Sequence, residues 1–243
     1  MKYMGSKARI AKDILPIILA DRKQGQYYVE PFVGGCNTID KVNGNRIGAD
    51  FNKYLISMWK FLTQTKLEFP LIISRETYSY WRNIWHNRSC SEITSDDAMI
   101  GWVGFMGSFN GRFFDGGYSG HCVRIKCGER DYISEQIRNT MAQVESLDGV
   151  DFKWSHYQDL TIPPESIIYC DPPYKGTKQY YISKDFDYGK FYEWCRCMKS
   201  EGHSVFISEY DMPDDFELIW EKPINNSMNQ VSTKRCVERL YKI

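Results

Sequence analysis

Gln26-Tyr27-Tyr28-Val29-Glu30-Pro31-Phe32-Val33-Gly34-Gly35-Cys36-Asn37, followed by Arg46-Ile47-Gly48-Ala49-Asp50, decides the fold. The first seven residues read as a strand. Val33 to Asn37 reads as a tight turn opening a short helix, where glycine lets the backbone approach a ligand closely. The second apolar stretch ends in Asp50, a carboxylate suited to accepting hydrogen bonds from ribose hydroxyls. Strand, glycine turn, helix and a second strand ending in Asp form a nucleoside-binding half. The full G-x-G-x-x-G fingerprint is missing, which argues against a pyrophosphate seated on the helix start. A nucleoside without phosphate fits better, as in S-adenosylmethionine.

A second apolar run, Ser166-Ile167-Ile168-Tyr169-Cys170, leads into Asp171-Pro172-Pro173-Tyr174. Two consecutive prolines end a strand and stiffen the chain after it, so the Asp171 carboxylate, the Pro172 carbonyl and the Tyr174 ring project as one cluster. Ligands of open α/β sheets bind at this carboxyl end. The exocyclic amine of a nucleobase is a poor nucleophile, because its lone pair is spread into the ring. Two acceptors aimed at its hydrogens favour a pyramidal nitrogen with a localised pair, and an aromatic face can hold the base. Asp, Pro and Tyr are also common around turns, so the tetrapeptide alone leaves a plain strand-to-loop turn open.

Periodicity organises the rest. Ile10, Ile14, Ile17 and Ile18 sit at helical spacing from Ser6 to about Leu19, with Ser6 as cap and Pro16 as a kink. Asn52 to Leu62 reads as the helix after the second strand. From about Lys66 to Gly149 there is no parallel-strand rhythm, and the stretch closes with a helix carrying Ile133, Ile137, Met141, Val144 and Leu147 on one side. The α/β pattern resumes at Asp151 to Ser155, with a helix from about Tyr188 to Lys199 and strands near Ser204 to Ser208, Glu217 to Trp220 and Arg235 to Tyr241. The expected fold class is therefore α/β: a Rossmann-like sheet formed by residues 1–65 and 150–243, interrupted by a mostly helical insert over 66–149.

With 243 residues and 42% hydrophobic content, the chain can bury one good core. No apolar run approaches the ~20 residues of a membrane-spanning helix, and the amino terminus lacks a signal-peptide pattern, so an intracellular protein is expected. Eight cysteines occur without a Cys-x-x-Cys spacing. Cys36, Cys170 and Cys236 lie in apolar surroundings typical of buried free thiols. Cys195-x-Cys197 and the His121-Cys122 to Cys127 stretch lack a second pair at zinc spacing, so no metal is expected. Lys plus Arg equals Asp plus Glu at 31 each, a balance that gives nucleic-acid binding no general support. Locally, Arg75, Arg82, Arg88, Arg112, Arg124, Lys126 and Arg130 alternate with aromatic residues, a pattern that can hold phosphates while rings wedge or stack. Trp81 and Trp85, one helical turn apart, read as core. Arg112, between glycines in a loop, is the leading DNA contact.

Taken together, the chain resembles the Dam-like, D12 class of DNA adenine-N6 methyltransferases. Tyr3-Met4-Gly5-Ser6-Lys7, Glu30-Pro31-Phe32-Val33-Gly34-Gly35, Gly48-Ala49-Asp50 and Tyr169-Cys170-Asp171-Pro172-Pro173-Tyr174 carry the resemblance in the family's order. Phe206 to Tyr210 and Arg235 to Tyr241 add weaker matches. The resemblance implies a Rossmann-like sheet dependent on S-adenosylmethionine, double-stranded DNA as partner, and base flipping. It implies that Asp171, Pro172, Pro173 and Tyr174 are catalytic. Tyr3, Lys7, Pro31, Phe32, Gly34, Gly35, Asp50, Phe51 and Asp171 would bind the cofactor, with Phe32 or Phe51 flanking its adenine. Asn110, Arg112, Arg124, Lys126 and Tyr181 would meet DNA, Tyr181 with Tyr180 at the base pocket. The stretch Gly107 to Tyr118 departs from the family pattern, so the resemblance does not carry over a recognition sequence.

Other readings predict different behaviour. A nicotinamide-dependent oxidoreductase explains the glycine turn and Asp50 but not the Asp-Pro-Pro-Tyr cluster. A non-catalytic DNA-binding module has no use for an intact cluster. Cytosine N4 is also an exocyclic amine, but the Asp-first tetrapeptide and the motif order favour adenine. A monomer is expected, with a dimer on DNA as the alternative.

Overall fold

A computed structural model describes residues 1–65, 68–88, 92–125, 128–175, 186–224 and 236–243. The strands are β1 (Tyr28–Glu30), β2 (Arg46–Asp50), β3 (Val123–Ile125), β4 (Gly128–Arg130), β5 (Val150–Trp154), β6 (Ile167–Cys170), β7 (Ser204–Ser208), β8 (Glu217–Ile224) and β9 (Cys236–Lys242). The helices are α1 (Ala11–Ile18), α2 (Lys53–Gln64), α3 (Arg75–Asn87), α4 (Ser95–Gly107), α5 (Tyr132–Val144) and α6 (Tyr188–Ser200). Seven strands form one sheet in the order β5-β2-β1-β6-β7-β9-β8. The first five are parallel, and β9 runs antiparallel to both β7 and β8. This is a Rossmann-like arrangement whose strand order reverses between β1 and β6, the crevice where such sheets bind ligands.

Burial explains the strand sequences. The central strands β1 and β6 are buried at every residue, as expected for parallel strands covered on both faces. At the edge, β5 alternates, with Val150 and Phe152 inside and Asp151 and Lys153 outside. Asn52 caps α2 by accepting from the amides of Tyr54 and Leu55 at 3.1 and 3.3 Å. Between β1 and β2 the predicted short helix is only the 3-10 turn Ile39–Lys41, because nine residues from Asn37 to Asn45 must also supply two turns.

The segment between α2 and β5 contains α3, α4 and α5 and the antiparallel hairpin of β3 and β4. Its apolar side chains share one cluster with the sheet: Trp102, Phe105 and Ile133 join Trp59 and Phe152. On α5, Ile133 and Ile137 point inward as predicted, but Met141 is 44% exposed and Thr140 and Gln143 are buried in its place. Two polar side chains displace the expected apolar stripe there because each has a partner: Thr140 donates to the Gln136 carbonyl, and Gln143 reaches the glycine turn.

Helix α4 crosses α2 at Gly101. A Cβ there would lie 2.1 Å from the Tyr54 carbonyl oxygen, a backbone atom that cannot rotate away. Gly101→Ala is expected to destabilise the fold by about 3 kcal/mol, at the upper end of the overpacking range, despite the helix propensity gained. A denaturant midpoint equal to or above that of the wild type would contradict this crossing.

Candidate active site

Strands β1 and β6 pair in register, Val29 opposite Ile168, so Pro31-Phe32 and Asp171-Pro172 leave the sheet side by side. The glycine turn and the Asp-Pro-Pro-Tyr segment thus share one edge of the sheet. After the prolines, Tyr174 is held at several points. Its hydroxyl donates to Glu238 Oε2 at 2.8 Å, and its ring meets Tyr210 edge to face at 4.6 Å. The Pro173 carbonyl accepts from the Tyr188 hydroxyl at 2.8 Å.

Lys7 connects these groups. Ser6 caps a 3-10 turn, Lys7–Arg9, that points the lysine inward. Its ammonium lies 3.1 Å from Asp171 Oδ1, 3.4 Å from Glu238 Oε2 and 4.2 Å from the Tyr174 ring centre, and it donates to the Gly5 carbonyl at 3.2 Å. The resemblance places this lysine among the cofactor-binding residues; here it rests on Asp171 and the Tyr174 ring.

The electrostatics follow from burial. Desolvation raises the Asp171 pKa to about 6 even though Lys7 pulls it down. Burial also works to lower the pKa of Lys7, but Asp171 and Glu238 more than reverse it and hold it above the ordinary lysine value. Glu209 is raised to about 7 by desolvation, and Glu30 to about 8, against hydrogen bonds from Thr38 and Tyr28. Two carboxylates, Asp171 and Glu238, thus pair with Lys7, and Glu209 lies within its electrostatic reach.

On the other side of the crevice, Gly34 adopts φ +47° and its amide donates to Asp50 Oδ2 at 3.2 Å. The Asn52 amide donates to Asp50 Oδ1 at 2.9 Å. Each oxygen keeps further acceptor capacity, since an ionised carboxylate offers about four sites. Desolvation lifts the Asp50 pKa to about 6. Tyr3 packs on the turn: a Cβ on Gly34 would sit 2.8 Å from its ring, and one on Gly35 2.7 Å from its Cβ. The glycines here make room for Tyr3. Pro31 is buried. Phe32 is enclosed by Tyr157, Phe186 and Phe191, whereas Phe51 is 58% exposed beside Asp50, with its ring edge-on to His156.

Of the residues expected at DNA, Asn110, Arg112 and Arg124 fall between α2 and β5. Arg124 is exposed on β3, and Ile125 beside it is 37% exposed. Asn110 takes a left-handed conformation at φ 55° in the 3-10 turn Phe109–Gly111, next to Arg112, whose Nε is buried with no hydrogen-bond partner among the described residues. Lys126 and Tyr181 lie outside the described residues, as do Cys127 and Tyr180. Trp81 and Trp85 pack against the core, Trp85 stacking on Phe114 at 5.4 Å. Cys36 and Cys170 are buried free thiols. Among the described residues no cluster of His, Cys, Asp or Glu could hold a metal ion, and no helix is long and apolar enough to cross a membrane.

Three residues at the site, Gln143 and Glu209 buried and Glu238 half-buried, had no role in the sequence reading. Gln143 Nε2 donates to the carbonyls of Gly35 at 3.1 Å and Cys36 at 2.8 Å, so α5 fixes the glycine turn. Glu238 pairs with Lys7 and Tyr174, and Glu209 contacts the backbone after the tetrapeptide. Glu209 and Glu238 lie in the weak motifs Phe206 to Tyr210 and Arg235 to Tyr241, which were the signal available. Gln143 had none.

Residues 3–86 match the family described as D12 class N6 adenine-specific DNA methyltransferase. Over 234 residues the chain is 24% identical to the retron Ec67 DNA adenine methylase of Escherichia coli, covering 87% of this chain and 76% of that protein. The crystal structure of SMU.472 complexed with SAH aligns over 98% of this chain at 13% identity and a TM-score of 0.40, and this chain spans 53% of that one. The matched amino-terminal segment, the similarity over most of the chain and the two motifs meeting at one sheet edge agree: the chain is similar to the D12 class N6 adenine-specific DNA methyltransferases.

Proposed function

We propose that this chain methylates adenine N6 in duplex DNA at an extruded base, with Asp171, Pro172, Pro173 and Tyr174 as the catalytic cluster. The observation that carries the reading is the fixed seat of that cluster beside the glycine turn, where β1 and β6 part. A base paired inside a duplex cannot reach such a recessed carboxylate, so it must leave the stack. Tyr174 supplies the aromatic face, while Asp171 and the Pro172 carbonyl accept the amine hydrogens and localise the nitrogen lone pair. Lys7 holds Asp171 Oδ1, and we assign Oδ2 to the incoming amine.

The cofactor reading, S-adenosylmethionine, rests on fit: it supplies a methyl group on a positively charged sulfur. Lys7 is outnumbered by its two ion-pair partners, Asp171 and Glu238, which favours a further cation in the crevice. Asp50 retains lone pairs for ribose hydroxyls, and the exposed Phe51 ring beside it offers a face for a flat adenine. Much of the rate then comes from holding the reacting atoms in near-attack geometry.

Residues 1–65 and 150–243 serve as the catalytic part, and 66–149 as the target-recognition insert. The β3–β4 ribbon has the form that a major groove admits, with Arg124 on its exposed face. Asn110, Arg112, Lys126 and Tyr181 complete the DNA assignment. One copy carries every residue assigned, which supports a monomer working inside the cell that holds its DNA. Expression in a strain without DNA methylation, followed by modification-sensitive sequencing, is expected to show N6-methyladenine in one sequence context. Methylation confined to cytosine N4 would move the reaction to the other exocyclic amine, and an unmodified genome would overturn the reading.

A further inference from the structure

Among the buried carboxylates that the methylation chemistry leaves unused is Glu209. Glu209, 1% exposed, stands just past the end of β7. Because Cys170 pairs with Ile207, the exits of β6 and β7 are neighbours. Glu209 Oε2 accepts from the Lys175 amide at 3.2 Å, and Oε1 accepts from the Tyr210 amide at 2.7 Å. The two oxygens of one side chain thus hold two chain segments.

Those segments carry the two rings that meet edge to face, Tyr174 and Tyr210. The prolines have no N–H, so Lys175 offers the first backbone donor after Tyr174. Tyr210 is also gripped from the opposite side, its carbonyl accepting from Arg239 Nη1 at 2.6 Å. We infer that Glu209 is a positioning residue which sets the Tyr174 and Tyr210 rings as the wall for the extruded base. The inference rests on the proposed methylation at this site and extends it to a residue that touches no reacting atom.

The chemistry favours a carboxylate specifically. Only an ionised carboxylate presents two oxygens that both accept and neither donate. A glutamine of the same size would turn its NH₂ toward one of the two backbone N–H groups. Burying a carboxylate is costly unless its geometry is used. Asp171 and Lys7 act electrostatically on Glu209, so the clamp belongs to the same charge network as the catalytic carboxylate.

The test is Glu209→Gln, read by single-turnover methyl transfer and by equilibrium binding of S-adenosylmethionine. The transfer rate is expected to fall about 10- to 100-fold, the scale of a misplacement of about 1 Å, while cofactor affinity stays within about twofold. An unchanged rate in a folded variant overturns the inference. So does a fall in rate matched by an equal loss of cofactor binding, which a general structural role would give. If Glu209→Gln does not fold, hydrogen exchange in the wild type decides: protected Lys175 and Tyr210 amides support the clamp, and open-chain exchange rates overturn it. Absence of methyl transfer by the wild type would sink the proposed function, while the amide protection would still report on the clamp.

Discussion

Asp171→Ala is expected to lower the rate of methyl transfer about 10³-fold or more, with binding of S-adenosylmethionine partly retained. The carboxylate matters most when the amine pyramidalises, because positive charge then grows on nitrogen. An interaction stronger in the transition state than in the ground state appears in the rate more than in binding. Asp171→Asn keeps the shape but loses the charge, so it is expected to be nearly as inactive. The cofactor surfaces assigned to Asp50, Phe51 and the glycine turn are untouched by either change. Single-turnover transfer and calorimetric binding separate the two effects. A folded Asp171→Ala protein that methylates DNA at the wild-type rate would remove the basis for placing chemistry at this tetrapeptide.

Much of this site was legible because its elements are local in sequence. The strand Arg46–Asp50 and the strand Ser204–Ser208 fall where their apolar residues and flanking breakers put them. The Asn52 cap and the double proline are local signals of the same kind. Contacts between distant segments were not legible. Lys7 meets Asp171 across 164 positions of chain, and nothing in the amino-terminal segment distinguishes a lysine bound for a carboxylate pair from one in solvent. Gln143 reads as an ordinary polar position on an amphipathic helix, yet it closes the glycine turn. Met141 was placed inward by helical spacing, but hydrogen bonding favoured Thr140 and Gln143 there. Periodicity registers which face is apolar and is blind to a polar side chain with a buried partner. The packing of Tyr3 against the glycine turn was likewise not legible, since it joins residues some thirty positions apart.

Lys7→Met is expected to change stability and the pH dependence of activity together. The substitution preserves the apolar stem and removes the cation, leaving Asp171 and Glu238 facing each other in a buried site. Breaking a buried pair in this way costs about 3 kcal/mol. The sign of the pH effect follows from the two partners. Lys7, raised above its ordinary value, contributes stability that is present at neutral pH and lost only as pH rises through its folded pKa. Asp171, raised to about 6 from 3.8, makes the folded protein bind more protons than the unfolded chain between those values, so its contribution worsens as pH rises through 6. In Lys7→Met the Asp171 pKa rises further. The loss of stability is therefore expected to be large at pH 8 and smaller at pH 5, where Asp171 is neutral. Because transfer needs the ionised carboxylate, the acid limb of the rate profile, expected near pH 6 in the wild type, moves upward in the variant. Thermal melts at the two pH values and single-turnover rates across pH 5 to 9 measure both shifts. An acid limb that stays in place, with melting unchanged at pH 8, would mean that the ammonium of Lys7 does not rest on Asp171 in solution.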